Sequence, residues 1–299
     1  SLYTAAHHQA SGPYSDSTNS PCCDANIPII DSGTVLLSHI DLDSIGGSLR
    51  TVELDRFINC DKTTSLFSKN NENFWSFAGF VDINGPHMMS RYLNTTEDQK
   101  LIDQITAFWA WQEANIPNVR SPKGETTDIT PYIKASANAL AHIFNMNPEY
   151  IEAGKIWQAK EADLASDTFR KMYRLNLDND QVFNVIFRES TSYANHLYKY
   201  SEGENTVYAD AIICYNPDHG SITLSYAQWE GRKLDELIAP AYEIMQSVWG
   251  ETAGGHAGIA GSPREDKVDP SMVETVFNTL KSYRANYLYE TTRDEDIPF

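Results

Sequence analysis

The sequence predicts an α/β fold, with a parallel-sheet N-terminal domain, a smaller C-terminal α/β domain and the active site in the cleft. Three observations lead there. Residues 34–38 (TVLLS) form a short apolar run of the kind a buried strand shows. A polar, glycine-containing turn runs from there to residue 48, and a helix start comes next at 49–57. Residues 77–81 (FAGFV) give a second such strand, ending at Asp82 and a turn through Gly85, Pro86 and His87. Beyond residue 175 the texture changes to short strands separated by turns, at 182–187, 209–215 and 221–227.

The rest of the chain carries further elements. Residues 13–33 are rich in Ser, Pro, Asn and Asp and read as a loop. Helical spacing of Leu101, Ile105, Phe108 and Trp109 predicts a helix over 97–115, and 132–144 has the same texture. Residues 149–173 are charged and mostly helical, a connector without strand signal. An amphipathic helix at 234–249 precedes a glycine-rich loop at 254–261, and a last helix at 272–283 leads into a polar acidic tail. The division expected is 1–160 and 161–299.

Acidic residues outnumber basic ones 41 to 23, and the net charge of −18 repels polyanions at long range. Long nucleic acid is therefore not an expected partner, whereas a short phosphorylated substrate in a cation-lined cleft is compatible. No apolar run approaches the ~18–20 residues of a membrane span, and Ser1-Leu2-Tyr3 has neither the charged nor the apolar region of a signal peptide. Cys22, Cys23, Cys60 and Cys214 are too few and scattered for a disulfide scaffold. Free thiols and a cytoplasmic location are expected.

The sharpest local signal is SHIDLDSIGGS, residues 38–48, which sets His39, Asp41 and Asp43 at alternating positions after a strand. Carboxylate oxygens suit Mg²⁺ and Mn²⁺, and an imidazole tilts the preference toward Mn²⁺. The bland alternative is a polar loop in which Asp43 or Ser44 caps a helix. Asp82, at the carboxyl end of the second strand, is the natural further ligand, its alternative being a turn-initiating Asp. His87, five residues on, reaches toward the same crevice or is incidental to its Gly-Pro turn. His7 and His8 form another cluster, read as one ligand and one donor to a phosphoryl oxygen, or as an unstructured terminus. In GGHAGIAG, residues 254–261, glycines let backbone amides approach an anion, with His256 and Arg264 adding charge. The competing explanation is a tight turn where two elements pack closely.

Two of these stretches carry a resemblance. SHIDLDSIGGS resembles the first motif of the DHH phosphoesterase family, written H-x-D-x-D-G-x-x-S, and GGHAGIAG resembles the glycine-rich GGGH-x-x-A-A-G signature of its associated substrate domain. They lie some 200 residues apart in the family's order, and the resemblance covers roughly residues 34–283. It implies a cleft holding two Mn²⁺ or Mg²⁺ ions, with His39, Asp41, Asp43 and Asp82 as ligands and His7 as a further one. It also implies that His8 or His87 assists the reaction, and that Gly254, Gly255 and His256 hold substrate phosphate, with Arg264 just beyond them as a further substrate-binding candidate.

The chain departs from the family pattern at Ser44, where glycine is usual, and no Asp-His-His triplet comes after the second strand. The HHQASG stretch resembles the residues downstream of the family's aspartate, with Ala6 in that aspartate's place. Asp103 and Asp128 are weaker candidates for the final ligand. The function implied is metal-dependent hydrolysis of phosphodiester bonds in short oligonucleotides or small nucleotides, without a membrane partner and with homodimerisation admissible. Its rivals are a nucleotide-binding or regulatory module that has lost a metal, and an exopolyphosphatase-like phosphoanhydride hydrolase.

Overall fold

A computed structural model of the chain describes residues 22, 33–37, 40–51, 66–89, 98–117, 126–177, 181–191, 197–202, 205–227, 233–263 and 266–294. The chain divides into two units, Ser1–Asn84 with Met89–Ala162, and Gly85–Met88 with Asp163–Phe299.

The regular elements among the first unit's described residues are all helical: α1 (Leu42–Thr51), α2 (Glu72–Asn84), α3 (Asp98–Asn115), α4 (Thr130–Phe144) and most of α5 (Pro148–Asp167). The parallel sheet expected here is not what the described residues form. Residues 33–37 lie outside any regular element, with Leu36 73% exposed, so they are not a buried strand. Residues 77–81 belong to α2. There Phe74, Trp75, Phe77, Ala78 and Val81 are buried at the three- and four-residue spacing of one helical face. A five-residue apolar run does not distinguish strand from buried helix, and the flanking residues decide it.

Helix α1 starts at Leu42, within the expected turn, and carries two glycines. Packing accounts for one of them. A Cβ on Gly46 would stand 2.5 Å from the Cys22 Cβ and 2.7 Å from the Trp75 ring. Close approach thus outweighs the ~1 kcal/mol that glycine costs a helix interior. The core of this unit gathers Ile45, Leu49, Phe74, Trp75, Phe108 and Leu140.

The second unit holds a six-stranded sheet in the order β1-β2-β5-β6-β8-β7, and a separate hairpin, β3 (Lys199–Glu202) with β4 (Asn205–Tyr208). The six strands are β1 (Phe169–Asn176), β2 (Val182–Glu189), β5 (Ala211–Asn216), β6 (Ser221–Tyr226), β7 (Gly254–His256) and β8 (Ile259–Gly261). Only β2 and β5 run parallel, Val185 facing Ala211, and every other pair is antiparallel. The chain is therefore a mixed α/β protein whose described sheet is mostly antiparallel. Strands β2, β5 and β6 fall where the alternation predicts, while β1 begins inside the expected helical connector.

One sheet face buries Phe183, Val185, Ile213 and Leu224 with residues of the helices α6 (Leu234–Leu237), α7 (Ala241–Trp249) and α8 (Met272–Asp294). The opposite face buries Ile186, Ile212, Tyr198 and Tyr200. The single helix expected at 234–249 is broken, because Pro240 cannot supply an amide to continue the ladder. Helix α8 runs on through the expected tail to Asp294. No described helix is long and apolar enough to cross a membrane. Cys22 and Cys214 are buried free thiols.

Candidate functional site

The glycine-rich stretch folds as a β-hairpin, not as a loop. Gly254 faces Gly261, Gly255 faces Ala260, and His256 faces Ile259. Two backbone bonds hold its turn to the rest of the unit: Tyr226 N–H donates to the Gly258 carbonyl at 2.8 Å, and Ala241 N–H to the Ala257 carbonyl at 2.8 Å. Ser262 fixes the register against β6, its Oγ accepting from the Ile222 amide at 3.0 Å and its amide donating to the Ile222 carbonyl at 2.8 Å.

The glycines of this hairpin answer to different causes. A Cβ on Gly255 would collide with the Ile259 carbonyl oxygen and stand 2.5 Å from the Ala260 Cα, and its φ of +154° is one side chains avoid. That glycine is explained by packing. A Cβ on Gly254 would meet no heavy atom within 4 Å among the described residues, and one on Gly261 would meet only the Ile222 oxygen at 3.8 Å. Packing does not explain these two. Facing one another across the hairpin, they leave a bare patch of main chain, the surface on which a backbone amide can approach an anion. His256, half-buried, closes the same strand.

Beneath the turn, the Tyr226 phenol is 2% exposed, and burial pushes its pKa up, with the Asp235 and Glu243 charges adding to the effect. Tyr226 Oη and Asp235 Oδ1 are buried without a hydrogen-bond partner among the described residues.

The expected metal ligands are placed differently. Asp41 is the N-cap of α1: its Oδ1 accepts from the Ser44 amide at 2.8 Å, and the Ser44 Oγ accepts from the Asp41 amide at 3.0 Å. Asp43, buried in the first turn, accepts from the Cys22 amide at 2.8 Å. Asp82 lies on α2, not at a strand end, and so not in the crevice expected for it. His87 sits in the single turn Pro86–Met88 of the other unit. Asp128, two residues ahead of α4, accepts from the Thr130 amide at 2.9 Å, and Asp103 accepts from the Gln99 amide group at 2.9 Å. His7, His8, His39 and Arg264 lie outside the described residues.

No three His, Cys, Asp or Glu side chains gather to hold a metal ion among the described residues. Asp41 and Asp43 are instead bonded to main-chain amides at the helix start, so this part of the donor set does not form a metal site by itself.

Sequence reasoning passed over Arg188, fully buried in β2. Its Nε donates to the Leu197 carbonyl at 2.7 Å, its Nη2 to the Lys199 carbonyl and its Nη1 to Thr168 Oγ1 at 3.3 Å. Burial draws its pKa down to about 10. An arginine directly after the apolar run Val185-Ile186-Phe187 was the available signal, for such a charge is rarely buried without partners. No known family model, curated protein or solved structure compared with the chain matches it.

Proposed function

We propose that the chain is a hydrolase of phosphodiester bonds in short oligonucleotides or small nucleotides, of the metal-dependent kind that the DHH resemblance implies. The supporting observation is the Gly254–Gly261 pair, two glycines whose place in the fold packing does not require, side by side on a main-chain surface suited to a phosphate. His256 on the same strand supplies a donor to that anion. The net charge of −18 favours a small substrate over a long polyanion. Metal dependence rests on the sequence pattern around His39.

The test uses the full chain, stripped of metal and then supplied with Mn²⁺ or Mg²⁺, on bis(p-nitrophenyl) phosphate and on a dinucleotide. Metal-dependent turnover, reduced at least about tenfold by Gly254→Val with the fold retained, is expected. Absence of turnover with either metal sinks the hydrolase reading.

A second reading, a nucleotide-binding or regulatory module, is favoured by the engagement of Asp41 and Asp43 in main-chain bonds. It expects nucleotide affinity that Gly254→Val weakens, without turnover.

A further inference from the structure

In the second unit, Pro86, His87, Tyr198, Lys199 and Tyr208 line a cavity of about 150 Å³. Its walls are built by separate pieces of chain. Lys199 and Tyr208 face each other across the β3–β4 hairpin and so share a sheet face. Tyr198 precedes β3, and the His87 ring meets the Tyr198 ring edge-on, centroids 4.7 Å apart and planes at 61°.

One wall is fixed. Tyr198 is 2% exposed, shares a 2.6 Å hydrogen bond with Ser225 Oγ on β6, and its carbonyl accepts from the Ala209 amide at 2.8 Å. The flanking carbonyls of Leu197 and Lys199 are held by Arg188. The other side faces solvent: Tyr208 is 44% exposed, and Lys199 is exposed as well.

Size and lining together select the guest. A recess of ~150 Å³ has room to enclose one six-membered ring, and a fused bicycle would project through its open side. Tyr and His rings offer planar faces and edges to a flat guest. The lysine is a point charge suited to a phosphate on the guest's tail.

We propose that this cavity seats the single ring of a pyrimidine nucleotide, with Tyr208 as the stacking wall and Lys199 as the partner of the phosphate. The assignment rests on the nucleotide-phosphoester reading and gives that reading a base preference.

The test measures binding, not turnover. Uridine monophosphate, adenosine monophosphate and ribose phosphate are titrated by calorimetry into the full chain, wild type beside Tyr208→Ala and Tyr208→Phe. Uridine monophosphate is expected to bind at least about tenfold tighter than ribose phosphate, stacking being the difference. Tyr208→Ala should abolish that margin while leaving ribose phosphate affinity unchanged, and Tyr208→Phe should keep it. Equal affinity for uridine monophosphate and ribose phosphate would overturn the ring pocket, as would a margin that survives Tyr208→Ala. Adenosine monophosphate binding as tightly as uridine monophosphate would overturn the size selection. In these cases the phosphoester reading stands. Failure of all three compounds to bind would overturn the pocket, while the phosphoester reading stands or falls on metal-dependent turnover.

Discussion

Arg188 donates through Nε to the carbonyl of Leu197, nine residues on, across a buried 2.7 Å contact. With the bonds to Lys199 and Thr168, this one guanidinium ties β2 to the segment entering β3 and to the end of α5. The side chain is spent on main-chain and hydroxyl oxygens inside the fold, which a lysine's single ammonium cannot match in number or direction.

Arg188→Met should therefore destabilise the second unit by on the order of 2–4 kcal/mol, because the variant orphans buried carbonyls. Arg188→Lys should recover only part of that. Urea unfolding followed by tryptophan fluorescence and far-UV dichroism checks both. A variant within about 0.5 kcal/mol of wild type would contradict the role given to Arg188.

The hairpin glycines give a paired prediction. Gly255→Ala should lower stability by about 1–3 kcal/mol, the cost of forcing a Cβ into occupied space. Gly254→Ala should leave stability unchanged or raise it by up to about 1 kcal/mol, since alanine has less backbone freedom to lose. Yet it should weaken phosphate binding. Thermal unfolding with and without inorganic phosphate separates the two effects.

At the start of α1, Asp41→Ala should cost about 1 kcal/mol, the worth of an N-cap. Asp43→Asn should cost on the order of 1–2 kcal/mol, because it weakens a buried bond from the Cys22 amide. Equal loss of metal binding and stability in both variants would favour a ligand role over the capping role seen here.

Alkaline pH provides a further prediction, with a definite sign. Burial raises the Cys214 thiol from 9.0 to about 11, while burial and the Glu274 carboxylate beside it raise the Tyr173 phenol from 10.0 to about 12. Each folded value exceeds its unfolded one, so these contributions are complete below pH 9 and 10 respectively and vanish as pH rises through about 11 and 12. The urea midpoint should fall across that window. Tyr173→Phe and Cys214→Ala should each flatten part of the decline. An unchanged slope in both variants would count against these groups as its source.

Removing the Tyr226 hydroxyl should do no harm. Its Oη lacks a partner among the described residues, so Tyr226→Phe is expected to be neutral or stabilising by up to about 2 kcal/mol. Differential scanning calorimetry checks this, and a marked loss of stability would mean that the hydroxyl is bonded to a partner outside the described residues.

How far the fold was legible depended on local pattern. Strands β2, β5 and β6 alternate or run apolar between turn residues, and α3 and α4 repeat at helical spacing, so each could be read directly. Phe77 to Val81 could not, because a short apolar run satisfies either geometry and its outcome depends on partners far along the chain, such as Phe108 and Phe144. The glycines of residues 254–261 were visible as a cluster, but the division between packing at Gly255 and bare surface at Gly254 needed the hairpin register. Arg188 and the Tyr198–Lys199–Tyr208 group belong to no motif, and only the pairing of strands brings the group together.

Among the described residues the sheet ends on β1 at one side and β7 at the other, and a terminal strand can expose main-chain groups to which a strand of another chain adds. Strand β1 carries Arg170, Lys171 and Arg174, whose charges would have to shed water on stacking against a neighbour. Strand β7 has no such guards, since two of its three residues are glycine. Its protection is brevity: three residues offer an incoming chain too few bonds to offset the entropy of ordering it. Lengthening this hairpin by one or two residue pairs would thus trade solubility for surface, and the natural length marks where bare backbone can be displayed without inviting self-association.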